Sequence, residues 1–320
     1  KLHETGSCRN EEGQQKAQYY TQDEIREFVK YAEDRFIEVV PEIDMPGHTQ
    51  AMLAAYPNLS CNGEAVKVWD RWGVSEQVLC LGKDTTYQFV EELLEEIIPL
   101  FKSLYFHIGG DECPETEWTK CPDCRKKKDE LGLEHFRGLQ HHFTHFLGNI
   151  LKKHGKQLIG WDEIIEGELP DNAIVMSWRG DAIDGALLAM KQNRPVIFTP
   201  NTSYYFDWKQ TILADEKGAF GVTSLKKVFD YHPQDLLSQK SDIIPDLTDD
   251  LFLGIQANVW TEYIHNEKEL EYMLFPRILA IAEQAWQRCN NTNYTEFHER
   301  VNVIKKKVLD YFQINYCNKV

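Results

Sequence analysis

The sequence predicts an α/β fold of parallel strands, specifically a (β/α)8 TIM barrel that is incomplete at its N-terminus. Three observations support this prediction: short β-branched runs alternate with amphipathic helical stretches, polar side chains collect directly after those runs, and no linker or low-complexity tract interrupts the 320 residues. Such alternation favours a parallel sheet with right-handed crossovers. We therefore expect residues 1–320 to form a single domain.

The first predicted helix and strand follow a polar segment, residues 1–20, which we interpret as a loop. Thr21 supplies an N-cap and Glu24 a capping-box acid, ahead of apolar residues at helical spacing. The run from Phe36 to Pro41 is short and rich in β-branched residues, which indicates a strand.

The same order of elements recurs to the end of the chain. Helices are predicted near 84–101, 135–154, 181–192, 268–287 and 294–312. Strands are predicted at about residues 36, 104, 157, 173, 195 and 251. A closed barrel needs eight strands, so we expect about six of the eight β/α units here, with two units before residue 1. Long insertions follow the strands, where barrels build their active sites; they are 57–82, 113–134 and 201–250.

The composition excludes several classes of protein. Lys plus Arg number 35 against 51 Asp plus Glu, a formal charge of −16, whereas nucleic-acid binders present basic surfaces to phosphate. The same balance disfavours an anionic membrane surface, and no run reaches the ~18 apolar residues of a transmembrane helix. We therefore expect no nucleic-acid partner and no membrane partner.

The eight cysteines are too few to indicate a disulfide-built miniprotein. Cys113, Cys121 and Cys124 lie close together in sequence, and they could share a zinc ion, form a local disulfide or remain free thiols. A zinc ribbon would need a second CxxC, which the sequence does not contain. We accordingly assign no metal and no cofactor.

Aromatic and acidic residues gather after the predicted strands, and this bias is repeated at all six strand ends. The tryptophans at these positions are Trp161, Trp178, Trp208 and Trp260. Sugars present apolar C–H faces that stack on indole rings and hydroxyls that bond to carboxylates. A pocket walled by tryptophan and rimmed by Asp and Glu therefore predicts a carbohydrate ligand.

Two segments carry a family resemblance. Residues 41–48 read PEIDMPGH and residues 107–112 read HIGGDE, and the motifs GWDE, SWRG, YFD, WTE and FPR follow in order. Together they resemble glycoside hydrolase family 20, the exo-acting β-N-acetylhexosaminidases, and the stretch DECPETEWTKCPDC is most similar to members from Bacteroidetes. The resemblance implies a TIM barrel that releases terminal N-acetylglucosamine or N-acetylgalactosamine from β-linked N-acetylhexosaminides, without a cofactor.

The resemblance also implies a retaining mechanism in which the substrate's own 2-acetamido oxygen attacks the anomeric carbon and forms an oxazolinium intermediate. Most retaining glycosidases use a second carboxylate instead. Glu112 would be the general acid and then the general base, with burial or the adjacent carboxylate raising its pKa. Asp111 would accept the acetamido N–H, and the hydroxyl of Tyr205 would hold the acetamido oxygen for attack.

The remaining residues assigned by resemblance would bind the sugar. Trp161, Trp178 and Trp260 would wall the acetyl methyl group and the sugar face, and Asp207 and Glu262 would bond the outer hydroxyls. His48 would lie near the acid and help to set its protonation. His107 is expected to be structural.

One feature of the family has no counterpart in this sequence. Family members carry an arginine at the end of the first barrel strand that grips the terminal sugar, and Arg9 does not replace it. We therefore expect a partial catalytic domain, secreted or periplasmic by resemblance. Two alternatives stay open: a non-catalytic amino-sugar-binding remnant, and a metal-dependent barrel hydrolase. In the latter, Asp44, His48, His107, Asp111 and Glu112 would surround a divalent ion.

Overall fold

The computed structural model describes residues 19–239, 249–286 and 293–319, together with Leu2 and Thr5 near the N-terminus. The chain divides into two compact units, Lys1–Val175 and Met176–Val320, so that the boundary falls inside one strand. No helix within these described stretches is long and apolar enough to cross a membrane. Most of the loop predicted for residues 1–20, including Arg9, lies outside the described residues.

The first unit contains six α-helices among its described residues. They are α1 Gln22–Glu33, α2 Gln50–Ala55, α3 Asp84–Ile97, α4 Thr116–Lys120, α5 Pro122–Glu130 and α6 Arg137–Lys153. The predicted capping box begins α1, since Thr21 Oγ1 accepts from the Glu24 N–H and Glu24 Oε2 accepts from the Thr21 N–H. The helices predicted near 84–101 and 135–154 are likewise confirmed as α3 and α6.

Parallel pairing organises the strands of the first unit, β1 Tyr105–His107 and β2 Gln157–Trp161. Tyr105 lies opposite Gln157, and His107 lies opposite Ile159. A third strand, β3 Ala173–Ser177, follows β2 and is buried along its whole length. The N–H of Leu158 donates to the carbonyl of Asn172, just before β3, at 3.0 Å. The strands predicted near 104, 157 and 173 are therefore confirmed.

The strand predicted from Phe36 to Pro41 is wrong. Phe36 has a φ of +59° and is fully exposed, and its N–H and that of Ile37 donate to the carbonyls of Glu33 and Ala32. These two bonds are the Schellman closure of a helix C-terminus, so the start of the β-branched run ends α1 instead of joining a sheet. Pairing begins only at the end of the run, where the carbonyl of Pro41 accepts from the N–H of His107 at 2.9 Å in an isolated parallel bridge between Glu42 and His107.

Helix α6 forms one side of the core of the first unit. Its buried face, which includes Leu139, Phe143 and Leu147, has the three- and four-residue spacing of an amphipathic helix. Tyr87 of α3 packs edge-on against the ring of Phe143, at 5.6 Å between centroids. Burial of this apolar stripe anchors α6 beside β2 and the residues that follow β1.

The second unit contains two parallel pairs of strands. They are β4 Val196–Phe198 with β7 Phe252–Ile255, and β5 Trp208–Lys209 with β6 Ala219–Val222. The strands β4 and β7 confirm the predictions near 195 and 251, whereas β5 and β6 were not predicted. A further parallel bridge joins Tyr205 to Asn258.

The helices of the second unit follow the predicted order, except that one predicted helix is divided into two. They are α7 Ile183–Lys191, α8 Asn201–Tyr204, α9 Leu225–Asp230, α10 Pro233–Ser238, α11 Glu267–Leu274, α12 Arg277–Trp286 and α13 Tyr294–Ile304. The single helix predicted near 268–287 is two helices, because Pro276 supplies no N–H to continue the hydrogen-bond ladder. Aromatic residues of α8, α9 and α13, including Tyr204, Phe229 and Phe297, form a buried core cluster.

Candidate active site

The HIGGDE segment turns sharply away from β1, and its two glycines make that turn possible. Gly109 has a φ of +72° and Gly110 a φ of +97°, both in the left-handed region that favours glycine. A Cβ on Gly109 would lie 1.7 Å from Oδ1 of Asp44, and a Cβ on Gly110 would lie 2.6 Å from Ile164. The motif therefore needs glycine at both positions for conformation and for space.

One imidazole faces both carboxylates of the motif. Nε2 of His48 lies 3.6 Å from Oδ2 of Asp111 and 3.4 Å from Oε2 of Glu112. Hydrogen bonding to Asp111, and then to Glu112, raises the pKa of His48 to about 11, against the opposing effect of burial. His48 is therefore an imidazolium at neutral pH, and its charge stabilises the two carboxylates.

The backbone at this cluster is held in an uncommon conformation. His48 has a φ of +51° and Glu112 a φ of +44°, and neither residue is a glycine. Backbone in this region costs about 1–3 kcal/mol per residue and persists where surrounding structure enforces it. The two residues with positive φ are the ones whose side chains meet at 3.4 Å, so the uncommon backbone conformation coincides with the pairing.

Asp44 completes the acidic cluster from the neighbouring loop. Its Oδ1 accepts from the N–H of Gly110 at 3.1 Å. Burial, and then the charge of Asp111, raises the pKa of Asp44 well above its ordinary range. We therefore expect Asp44 to hold its proton at neutral pH, which reduces the repulsion that three clustered carboxylates would otherwise create.

A second set of contacts orients Trp161 at the end of β2. Its indole Nε1 donates to Oε1 of Glu42 at 3.0 Å, and its ring lies 4.8 Å from that of His107, centroid to centroid. Nδ1 of His107 accepts from the N–H of Gly109 at 3.0 Å. These contacts support the structural role predicted for His107, and they place Glu42, which was not predicted, as a positioning residue for Trp161.

Helix α6 supports the HIGGDE segment from behind. Nε2 of Gln140 donates to the carbonyl of Gly110 at 2.7 Å. Nη1 of Arg137 donates to Oε1 of Gln140 at 2.6 Å and to the carbonyl of Cys113 at 2.9 Å. Gln140 is buried, so these bonds satisfy backbone carbonyls that water does not reach.

In the second unit, two tryptophans flank a tyrosine. The ring of Trp178 stacks on Tyr205 at 6.2 Å between centroids and 22° between planes, and the ring of Trp260 lies 6.3 Å from Tyr205. The bridge to Asn258 fixes the backbone of Tyr205, and the N–H of Phe206 donates to the Asn258 carbonyl at 2.7 Å. The second unit thus brings together two predicted sugar-binding residues, Trp178 and Trp260, and the predicted catalytic residue Tyr205.

Asp207 follows Tyr205 and is almost entirely buried. Burial, with a further contribution from the charge of Glu262, raises the pKa of Asp207 to about 6. The backbone N–H of Trp260 bonds its carboxylate, while Oδ1 is buried without a hydrogen-bond partner among the described residues. Asp207 and Glu262, the two predicted ligands of the outer hydroxyls, therefore influence each other within the second unit.

Arg277, from the FPR motif, holds the segment that carries Asp207. Its guanidinium is fully buried and donates to the carbonyls of Trp208, Thr223, Phe206 and Met273. Burial lowers the pKa of Arg277 to about 9. All these partners are backbone carbonyls, so the side chain acts as a bracket for the backbone rather than as a ligand-binding group.

Three parts of the predicted site need revision. Trp208 is not part of the Tyr205 group; its ring packs near Phe220 and over Gly221. Glu42 was not predicted, and Asp44 was predicted only as a ligand in the metal-dependent alternative; both lie inside the PEIDMPGH motif, so the motif could have indicated their roles. Gln140 carries no sequence signal, because its role depends on where α6 packs.

A group of donor atoms from Asp44, His48 and Asp111, all within 4.8 Å of one another, has the composition of a cation site. Histidine binds metals as the neutral imidazole. The raised pKa of His48, caused by Asp111 and Glu112, opposes that state. The cluster is therefore better suited to managing protons than to holding a divalent ion.

The family model for the glycosyl hydrolase family 20 catalytic domain matches residues 1–289. A relative named beta-hexosaminidase, from Porphyromonas gingivalis, is 41% identical over 99% of this chain and 40% of its own length. The chain thus spans less than half of that relative.

Solved structures give the same result. The chain is similar to the exo beta-N-acetylglucosaminidase of Vibrio harveyi in complex with N-acetylglucosamine, with a TM-score of 0.83 and 30% identity over 96% of this chain and 47% of that one. It is similar to the beta-N-acetylhexosaminidase of Bacteroides fragilis, with a TM-score of 0.81 and 33% identity over 98% of this chain and 61% of that one. The parallel strand pairs and these matches confirm the predicted TIM-barrel fold class, and the chain belongs to glycosyl hydrolase family 20.

Proposed function

We propose that this chain hydrolyses terminal β-linked N-acetylhexosaminides with retention, by the substrate-assisted mechanism that its family membership implies. The relatives it resembles are named beta-hexosaminidases and beta-N-acetylhexosaminidases, which supports the substrate class. N-acetylglucosamine and N-acetylgalactosamine both present the 2-acetamido group that the mechanism requires, so both are proposed as terminal sugars.

One observation carries the proposal: the two carboxylates of HIGGDE have different surroundings on the two sides of one imidazolium. Asp111 has a side chain that is 15% exposed, with Oδ2 toward His48 and a buried Oδ1 that has no hydrogen-bond partner among the described residues. Glu112 is 39% exposed and faces the same nitrogen. Oδ1 of Asp111, which has no partner among the described residues, suits the N–H of an amide. The more accessible carboxyl group of Glu112 suits the leaving oxygen.

In the proposed mechanism, Oδ1 of Asp111 accepts the acetamido N–H. This bond orients the carbonyl oxygen of the acetamido group and offsets the positive charge that develops on the forming ring. The Tyr205 hydroxyl donates to that carbonyl oxygen and so holds it for attack on the anomeric carbon. The bond from the anomeric carbon to the leaving oxygen then breaks.

Glu112 handles the protons in both steps. It protonates the departing oxygen in the first step and then takes a proton from the water that opens the oxazolinium ring. This exchange of roles leaves Glu112 in its starting state after each turnover. His48 contacts the carboxylates rather than the substrate in this scheme, so it acts as a positioning residue.

The sugar-binding roles are assigned to aromatic and acidic side chains. Trp178 and Trp260, on either side of Tyr205, and Trp161 offer indole faces to the acetyl methyl group and to the C–H face of the ring. Oδ1 of Asp207 and the exposed carboxylate of Glu262 are proposed to accept from the outer hydroxyls, which would restrict action to chain ends. A secreted or periplasmic location stays a prediction.

The test compares two chromogenic substrates and one pair of variants. The chain should release p-nitrophenol from its N-acetyl-β-glucosaminide and not from its β-glucoside, which has a hydroxyl in place of the acetamido group. Glu112→Gln should lower kcat by about 10²–10⁴ while calorimetry still detects the amino sugar. Glu134→Gln, at a side chain that is 88% exposed, is the matched control and should leave kcat unchanged.

Each alternative makes a different prediction in the same experiment. Binding of N-acetylglucosamine without any release of p-nitrophenol identifies a non-catalytic sugar-binding remnant. The metal-dependent hydrolase, which would use the donor atoms of Asp44, His48 and Asp111, requires turnover to rise when Mg²⁺, Mn²⁺ or Zn²⁺ is added. Equal cleavage of the β-glucoside would contradict the substrate-assisted mechanism.

A further inference from the structure

Four cysteines from three separate segments of the first unit converge on one point. They are Cys61, Cys80, Cys121 and Cys124, and their sulfur atoms all lie within 4.8 Å of one another. The measured Sγ–Sγ contacts are 3.9 Å for Cys61 with Cys124, 3.7 Å for Cys80 with Cys121, and 3.6 Å for Cys80 with Cys124. Cys113, which the sequence grouped with Cys121 and Cys124, is not a member of the cluster.

These distances match one metal geometry closely. Zinc bound by four thiolates is tetrahedral with Zn–S bonds of about 2.3 Å, so that adjacent sulfurs are about 3.8 Å apart. A disulfide instead needs an S–S distance of about 2.05 Å and joins its cysteines in exclusive pairs. Cys80 lies almost equally close to Cys121 and Cys124, an arrangement that a shared ion explains and a pair of covalent bonds does not.

We propose that Cys61, Cys80, Cys121 and Cys124 bind one structural zinc ion. The CPDC pair supplies two ligands, and the single cysteines Cys61 and Cys80 replace the second CxxC that a zinc ribbon would have. Four ligands fill the coordination shell, as in structural rather than catalytic zinc sites. Each thiol gives up its proton on binding, and no electron transfer is involved.

The backbone around the cluster is built for close approach. A Cβ on Gly82 would lie 2.3 Å from the backbone nitrogen of Cys124, so only glycine lets the segment that carries Cys80 approach the start of α5. The N–H of Gly82 bonds the Cys80 sulfur, the kind of outer contact that orients metal ligands. The N–H of Cys80 also donates to the carbonyl of Leu59 at 2.8 Å, near Cys61.

The proposed zinc ion would fasten the long insertion 57–82 to α4 and α5. Cys121 ends α4 and precedes Pro122, the first residue of α5. Between the ligands, the N–H of Leu79 donates to the carbonyl of Pro46, and its own carbonyl accepts from Nε1 of Trp118 at 2.9 Å. The ion would thereby stabilise the loop that leads into His48, so the proposed role is structural.

The test measures metal content, and it is independent of the proposed activity. The whole chain, purified under reducing conditions without chelator, should contain one zinc ion per chain after dialysis. Cys61→Ser, at the half-buried ligand, and Cys80→Ser should lose that zinc. Cys113→Ser replaces a buried cysteine of the same unit outside the cluster, and it is the matched control that should retain full zinc content.

A second measurement serves if a variant does not fold. Titration of the unaltered chain with p-hydroxymercuribenzoate should release zinc, detected with 4-(2-pyridylazo)resorcinol, in step with thiol modification. Trypsin should then cleave after Lys67 or Arg71, both exposed in the fastened insertion, at least several-fold faster than before.

Three results would overturn the zinc proposal. The first is a chain without stoichiometric zinc whose thiols titrate freely. The second is a chain whose mass is lower by four hydrogens because two disulfides have formed. The third is a chain that contains iron in place of zinc.

Discussion

Nε2 of His48 lies 3.4 Å from Oε2 of Glu112 and approaches Asp111 almost as closely. Removing this cation takes away the positive charge that faces both carboxylates. We therefore predict that His48→Asn, in which Asn tolerates the positive φ, lowers kcat, measured as release of p-nitrophenol from the N-acetyl-β-glucosaminide. His135→Asn is the control, because His135 also lies near a glutamate but at an exposed position.

The same pair predicts the pH dependence of stability. The pKa of His48 is raised in the folded chain to about 11, so its stabilising effect is complete below about pH 6.5 and is lost as the pH rises toward 11. The difference in Tm between the original chain and His48→Asn should therefore be largest near pH 6. A difference that does not change with pH would contradict the pairing.

Gly109 offers a test of the turn that follows β1. Gly109→Ala should destabilise the chain severely, because the new Cβ would meet the Asp44 carboxylate as well as requiring a φ of +72°. Gly155→Ala is the matched control: its φ is +69°, but no atom lies within 4 Å of the new Cβ. Denaturant unfolding should show a loss of about 1–2 kcal/mol for Gly155→Ala.

The steric part of the effect is the difference between these two variants. We expect Gly109→Ala to cost at least about 2 kcal/mol more than Gly155→Ala, the scale of overpacking in a closely packed region, and to lower activity through the displaced Asp44. Equal losses for the two variants would show that conformation alone, and not contact with Asp44, requires the glycine.

Substitution of Arg277 tests whether the backbone around Asp207 depends on the buried guanidinium of Arg277. Arg277→Met leaves the carbonyls of Phe206, Trp208 and Thr223 without this donor, and each buried acceptor left unsatisfied costs about 1–3 kcal/mol. We predict a lower Tm, and a raised KM in the fraction that folds. Arg277→Lys should restore little, because an ammonium group lacks the planar fork of donors.

The control for Arg277 is Arg300→Met. Arg300 pairs with Glu283 at a half-exposed position on α13, and such surface pairs contribute about 0–1 kcal/mol. A small change in Tm is therefore expected. If Arg277→Met were as mild as Arg300→Met, the bracket role of Arg277 would be wrong.

Asp207 predicts a pH dependence of substrate binding. With a pKa of about 6, its carboxylate is ionised above pH 6 and becomes protonated below it. If ionised Asp207 accepts from a sugar hydroxyl, KM should fall as the pH rises from 5 to 7. In Asp207→Asn, KM should be higher and should not vary over this range, whereas Asp215→Asn, at an exposed side chain of the same unit, should retain the original dependence.

The effect of Asp207 on the stability of the chain changes with pH in the direction opposite to its effect on substrate binding. A carboxyl whose pKa is raised by folding keeps a proton that the unfolded chain releases, so its contribution falls as the pH rises between about 4 and 6. Asp207→Asn should remove that decline. Thermal unfolding at pH 4.5 and pH 7 measures it, and an unchanged slope in the variant would argue against the buried location of the carboxylate.

Local patterns predicted much of the fold. The capping box at Thr21 and the apolar spacing of α3 and α6 depend on residues within one or two turns, so they can be recognised in the sequence. The run that begins at Phe36 was misleading for the opposite reason. Its β propensity is real, but two of its N–H groups close α1, and that competition is decided by the preceding helix.

The motifs likewise identified the chemistry of the residues but not their partners. PEIDMPGH and HIGGDE indicated the family and singled out His48, Asp111 and Glu112. One nitrogen of His48 faces both carboxylates, and His48 and Glu112 both have positive φ angles. The residue types reveal neither feature. The bracket formed by Arg277 and the support from Gln140 connect residues far apart in sequence, so no local pattern could indicate them.

The sequence by itself determined the family, the alternation of strands and helices, and the residue types of the proposed site, because these depend on composition and near neighbours. Only the tertiary structure decided which groups meet. The convergence of Cys61 and Cys80 on Cys121 and Cys124 is the clearest case, since it required the insertion to fold back on α5. Contacts of this kind arise from packing, and spacing along the chain does not encode them.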